Sequence, residues 1–146
     1  MSDQFRDDMD MDYVVELARA FDTEVKNHKV DDPSVVFEDS NPLCGDKFKV
    51  TLRLNPEGEI EDIGFTGRGC AISRAAAYLL SEEIKGGSLE HLNGVTREQL
   101  IDEMGIAINS TVRLKCASLA LRTVKTGLAN AGHSINAESD EDWHKS

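Results

Sequence analysis

Aromatic side chains are scarce in this sequence, at 5% of 146 residues, so aliphatic groups must fill whatever core it builds. Long apolar runs are missing too. None approaches the ~18 residues of a membrane span, and the charged first residues hold no apolar h-region of a secretory signal. Together these absences give the expectation of a cytosolic protein with no membrane partner. Positive charge is in deficit: a formal net charge of -11 sets up a field that repels nucleic acid and anionic lipid, which disfavours the nucleic-acid-binding class. Cysteines number 3, an odd count that suits a disulfide framework poorly, and a reducing cytosol would keep them as thiols. Metal or thiol chemistry is the class left open.

What is present is a globular composition, 40% hydrophobic, on a length that suits one domain. We expect that domain to span residues 1–132, followed by an acidic, disordered tail over 133–146 that carries Glu138, Asp140, Glu141 and Asp142. Charge is unevenly spread. Acids dominate the first forty residues, whereas residues 104–137 hold Arg113, Lys115, Arg122 and Lys125 and no acid, and Cys116 lies inside that basic stretch.

Apolar spacing predicts the elements. Val14, Leu17, Ala18, Phe21 and Val25 recur at helical intervals within residues 10–27, and the acids between them read as a solvated face. Residues 33–37 are a short β-branched run, a first strand. Residues 47–54 alternate strictly, with Phe48, Val50, Leu52 and Leu54 on one face and Lys47, Lys49, Thr51 and Arg53 on the other. Asn55, Pro56 and Gly58 have the positions a type I turn favours, so residues 59–66 should return as an antiparallel partner. A helix should begin at Cys70 and stop at Lys85, Gly86 and Gly87, and residues 88–93 suit a short helical turn. Thr96 and Gln99 form a capping box for a helix through Met104, and a last helix should run from about Ser110 to Asn130. The sum is an α+β fold: a small antiparallel sheet of about three strands, helices packed on one side, an N-terminal helix and a long C-terminal one.

All three cysteines fall at edges of these elements, beside Gly45, Asp46, Arg68, Gly69, Arg113 and Lys115 rather than deep among apolar neighbours. A helix N-terminus and nearby cations favour the thiolate, which is both the metal ligand and the nucleophile. Asp46 stands two residues after Cys44, across a glycine that lets the backbone turn tightly, and adds a fourth donor. Three thiolates and a carboxylate suit tetrahedral zinc, or an iron-sulfur cluster with one labile oxygen ligand. The spacing is not that of a zinc finger, since no Cys-x-x-Cys pair occurs. Residue chemistry by itself leaves two readings open: a four-ligand site, or three unrelated cysteines kept for packing.

Three segments carry a resemblance that bears on this choice. Asn41-Pro42-Leu43-Cys44-Gly45-Asp46, then Gly64-Phe65-Thr66-Gly67-Arg68-Gly69-Cys70-Ala71-Ile72-Ser73, then Arg113-Leu114-Lys115-Cys116-Ala117-Ser118 resemble, in order, the three cysteine motifs of the IscU/SufU (NifU N-terminal-like) scaffold family. The match covers roughly residues 40–127. The resemblance implies that Cys44, Asp46, Cys70 and Cys116 bind zinc or a [2Fe-2S] cluster. It implies a cysteine desulfurase as sulfur donor, with Cys44 and Cys116 as candidate persulfide acceptors, and apo iron-sulfur proteins or carriers as recipients. The implied function is an iron-sulfur cluster assembly scaffold; the alternative is a zinc-dependent sulfurtransferase. Lys115 stands where the IscU branch typically has His, as in SufU proteins, whereas the insertion of the SufU branch between its second and third cysteines is lacking, as in IscU. The IscU branch's Leu-Pro-Pro-Val-Lys chaperone-recognition motif and the family's usual N-terminal tyrosine-rich and Pro-Arg-Asn segment are not found here. Because a hard oxygen holds zinc or ferric iron less firmly than thiolate does, Asp46 is the expected exit ligand.

Other signals are weaker. His91 reads as a surface residue, and His133 and His144 as mobile ones. The glycines at 64, 67 and 69 lack a P-loop Lys-Ser/Thr and the dinucleotide fingerprint, so they are better read as letting Cys70 approach its partners than as a phosphate cradle. The Asn109-Ser110-Thr111 sequon meets no glycosylation machinery in a cytosol.

Overall fold

The computed structural model describes the backbone of residues 2–41, 45–108 and 110–135, with side chains from Met11 onward. Eight elements follow in order: α1 (Ser2–Glu24), β1 (Val35–Asn41), β2 (Asp46–Leu54), β3 (Ile60–Arg68), α2 (Ala71–Ile84), α3 (Leu89–Asn93), α4 (Arg97–Met104) and α5 (Thr111–Asn130). The strands form one antiparallel sheet in the order β1-β2-β3, with the alternating residues 47–54 in its central strand.

Phe48, Val50 and Leu52 are wholly buried on the helix-facing side, while Lys47 and Lys49 face outward between them. Phe21 from α1 meets Phe48 and Phe65 with ring centroids 5.6 and 6.2 Å away, so three of the few aromatics form one knot where helix and sheet join. A second apolar cluster, Val14, Leu17, Ile72, Ala75, Ala76, Met104, Cys116 and Ala117, packs α1, α2, α4 and α5 together. On β1, α5 comes so close that a Cβ on Gly127 would stand 2.7 Å from that of Phe37.

The turn at 55–58 forms as expected, with Gly58 N–H donating to the Asn55 carbonyl at 2.9 Å. Thr96 caps α4 through a 3.1 Å bond from Gln99 N–H. Two boundaries differ from expectation. β1 runs on to Asn41 because Glu38, Asp39 and Ser40 pair with Lys49, Phe48 and Lys47, although their polarity hides the strand. α1 begins at Ser2, where an acid-rich segment carries no apolar period. After α5, Asn93 donates to the Ser134 carbonyl at 3.2 Å and Ile135 packs against the core. Residues 136–146, with His144 and the tail acids, lie outside the described residues.

Candidate metal centre

At one end of the sheet, three separate elements converge. The turn between β1 and β2 closes with Gly45 N–H on the Asn41 carbonyl at 2.9 Å and Gly45 at φ +74°, a conformation that favours glycine. That turn makes Asp46 the first residue of β2, on the same face as Phe48, and its side chain is buried with 5% exposure. Cys44 lies within residues 42–44, outside the described residues.

Cys70 comes from the other side. β3 ends at Arg68, and Gly67 has φ +119° with the Lys47 carbonyl standing where a Cβ would be, so the chain passes β2 at backbone contact. Gly64 likewise leaves room for the His28 carbonyl. Both glycines thus serve close backbone packing. Cys70 then caps α2, its Sγ accepting from Ser73 N–H at 3.5 Å. Cys116 arrives from the second turn of α5, whose N-cap is Ser110, with Asn41 Nδ2 3.9 Å from its Sγ. It is 3% exposed and belongs to the apolar cluster of the four helices, more buried than its place near a helix start suggested.

One donor atom each of Asp46, Cys70 and Cys116 lie within 4.8 Å of one another, and among the described residues they alone form such a group of His, Cys, Asp and Glu. In tetrahedral zinc, with Zn–S about 2.3 Å and Zn–O about 2.0–2.2 Å, donors stand roughly 3.5–4 Å apart. A small inward movement would therefore close these three on an ion. Borderline-soft zinc and iron both accept this mixture of sulfur and oxygen, so the donor set fits either a zinc ion or an iron-sulfur cluster.

The thiol of Cys70 is lowered to about 6, chiefly by its hydrogen bond with Cys116; burial opposes the shift, the Ser73 hydroxyl and N–H support it, and the Asp46 charge opposes it. A cleft of about 260 Å³ opens onto the pair, lined by Met11, Cys70, Ala71, Ile72, Arg113 and Cys116. Arg113 is exposed at its rim and Lys115 is half-buried beside Cys116. His91 is an exposed residue paired with Glu83 at 2.7 Å, away from this centre. Two further residues take part that the sequence reading passed over. Ser73 is wholly buried, its hydroxyl donates to Asp46 Oδ2, and its oxygen is 3.4 Å from Cys70 Sγ. Asn41 holds the turn and reaches Cys116. The capping position of Ser73, third after Cys70, was the available signal for the first; Asn41 had none beyond its motif.

Residues 21–136 match the family described as the NifU-like N-terminal domain. The chain belongs to that family. This NifU-type domain is 32% identical over 121 residues to the zinc-dependent sulfurtransferase SufU of Bacillus subtilis (strain 168), an alignment covering 71% of this chain and 81% of the relative. It is 33% identical over 115 residues to the iron-sulfur cluster assembly scaffold protein IscU of Thermotoga maritima, covering 68% and 80%. With IscU of Escherichia coli (strain K12) the identity is 32% over 89 residues, covering 61% and 67%. Among solved structures, the N-terminal NifU-like protein of Brucella abortus superposes with a TM-score of 0.65 at 17% identity, over 82% of this chain and 91% of that one. The SufU protein of Fervidobacterium islandicum AW-1 gives 0.60 at 22%, over 80% and 93%. At such identities the two structures speak for the fold. No helix among the described residues is long and apolar enough to cross a membrane.

Proposed function

We infer that this NifU-type domain is an iron-sulfur cluster assembly scaffold: it accepts sulfur and iron, holds a [2Fe-2S] cluster on Cys44, Asp46, Cys70 and Cys116, and passes it to apo-proteins. The observation that carries this reading is the meeting of Asp46, Cys70 and Cys116, from three elements far apart in sequence, within 4.8 Å. Buried carboxylate and thiols beside each other repel one another once ionised, and a cation is the partner that relieves them. Cys44, next to the same turn, is the fourth ligand we assign. A cysteine desulfurase is the sulfur donor of this reading, and apo iron-sulfur proteins or carriers are the recipients. The cytosol, where thiols stay reduced, is the setting, and residues 1–132 with the docked 133–135 are the working unit.

Sulfur transfer needs a thiolate able to attack the outer sulfur of a donor persulfide: the new S–S bond forms on the acceptor, and the donor cysteine leaves as thiolate. Cys116, which lines the cleft, and Cys44 are the acceptors of this reading. Cys70, with its lowered thiol, sits ready as a ligand.

A second reading, a zinc-dependent sulfurtransferase, is favoured by the SufU relative and by Lys115 beside Cys116. Anaerobic purification, zinc quantification, and addition of iron, cysteine and a desulfurase while following visible absorption decide between them. A chromophore that moves to an apo-ferredoxin is the scaffold outcome. Tight zinc with faster desulfurase turnover and no chromophore is the sulfurtransferase outcome, and neither result sinks both.

A further inference from the structure

Both oxygens of Asp46 are occupied by proton donors in the fold itself. Oδ1 accepts from Cys70 N–H at 3.1 Å, and Oδ2 accepts from the Ser73 hydroxyl. Ser73 is 0% exposed, so no water competes for that proton. Its Cβ is fixed by the first turn of α2, where its own N–H is used on Cys70 Sγ. The hydroxyl thus aims at the carboxylate from a rigid base, and the two donors form a cradle at the N-terminus of α2. The carboxylate so cradled has a donor atom within 4.8 Å of one thiol sulfur each of Cys70 and Cys116.

We propose that Ser73 is a positioning residue that draws Asp46 off the metal, making this carboxylate the ligand that leaves. The inference rests on Asp46 being a ligand, as the proposed function has it. A proton donor on a carboxylate oxygen acts in one direction either way. Where Asp46 keeps the bond while ligating, the donor withdraws electron density from the oxygen. Where Asp46 must give the bond up to ligate, re-forming it rewards departure. The leaving carboxylate then does not face burial without partners, which is otherwise the main cost of releasing a buried anionic ligand. Ser73 would set how easily the fourth position opens, while the thiolates keep their hold.

The experiment compares the full chain with Ser73→Ala, Asp46→Ala and the double variant, each loaded with zinc alone under anaerobic conditions and then mixed with a chromophoric chelator. Ser73→Ala is expected to release zinc about tenfold more slowly than wild type, the size of one charge-assisted hydrogen bond. In the Asp46→Ala background the same substitution should change nothing. A merely structural serine would loosen the site when removed, so the direction of the effect separates the two roles. Release at the wild-type rate or faster, or equal slowing without Asp46, overturns the proposal. Melting of the metal-free variants monitors folding, and Ser73→Gly, which removes the same hydroxyl, must behave alike. A wild type that keeps no zinc, or keeps it independently of Cys70 and Cys116, sinks instead the site assignment beneath both.

Discussion

Two aspartates, at opposite ends of the sheet, show how differently one fold treats a carboxylate. Asp62, at the hairpin end of β3, lies near the surface with cations around it. His28 Nε2 is 3.0 Å from both of its oxygens, and Lys85 Nζ is 3.5 Å from one. Burial works against its charge, but the His28 hydrogen bond and charge, the Ile63 N–H and Lys85 together outweigh it and hold the carboxyl below its usual range. Asp46 is more deeply buried, yet its donors are neutral, a backbone N–H and a hydroxyl, and it makes no ion pair among the described residues. Neutral donors orient a carboxylate without cancelling its charge. Asp62 has His28 and Lys85 beside it, whereas Asp46 has only neutral donors among the described residues.

The sharpest way to break this contrast is at the sulfur beside Asp46. Cys116→Ser is expected to lower zinc affinity by about 10²–10³-fold, because in the proposed site a thiolate is one of four shares in a binding energy of about 10–16 kcal/mol. An affinity within threefold of wild type, by chelator competition, would leave Asp46 without a cation to receive. Next, Asp46→Asn should cost about tenfold in the same assay, a smaller loss than for thiolate because the oxygen is the weaker partner, while Asp62→Asn leaves zinc affinity unchanged. Equal losses at the two positions would erase the distinction.

Much of this was legible from local pattern, and the rest was not for a physical reason. The alternation of Phe48, Val50 and Leu52 betrays β2 because one face is buried, and Thr96 with Gln99 betrays a helix start because the bond spans three residues. β1 beyond Phe37 is polar because its partner is remote: Asp39 takes a two-pronged contact from Arg122 on α5, at 2.7 and 3.0 Å. Nothing near Asp39 in sequence announces that. The candidate residues Asp46, Cys70 and Cys116 stood out through their motifs, but the Ser73 contact with Asp46 depends on the fold bringing α2 against the start of β2.

Two smaller effects refine the contrast. In the metal-free protein, alkylation of Cys70 by iodoacetamide should rise with pH to a plateau whose midpoint is about 6, against the ordinary 9.0. The folded form favours the thiolate, so its contribution to stability is complete above pH 9.0 and disappears as pH falls through about 6. Cys116→Ala removes the hydrogen bond that chiefly lowers the thiol, so it should move the midpoint upward; a midpoint near 9.0 in wild type would contradict the thiol geometry. Smallest of all, Asp62→Asn should cost under about 1 kcal/mol at pH 7, since its ion pairs are partly exposed and screened. The Asp62 contribution is whole above pH 3.8 and is lost as acid protonates the carboxyl below that value, so thermal melts of wild type and variant should converge near the acid end.

Gly67 offers a last consequence. The Lys47 carbonyl fills the place of its missing Cβ, and its φ of +119° is one that L side chains rarely adopt. A saturation library selected for cluster-dependent growth would therefore single out a residue with no functional group at all. What inheritance must preserve at that position is a vacancy, and the address of Cys70 is written in it.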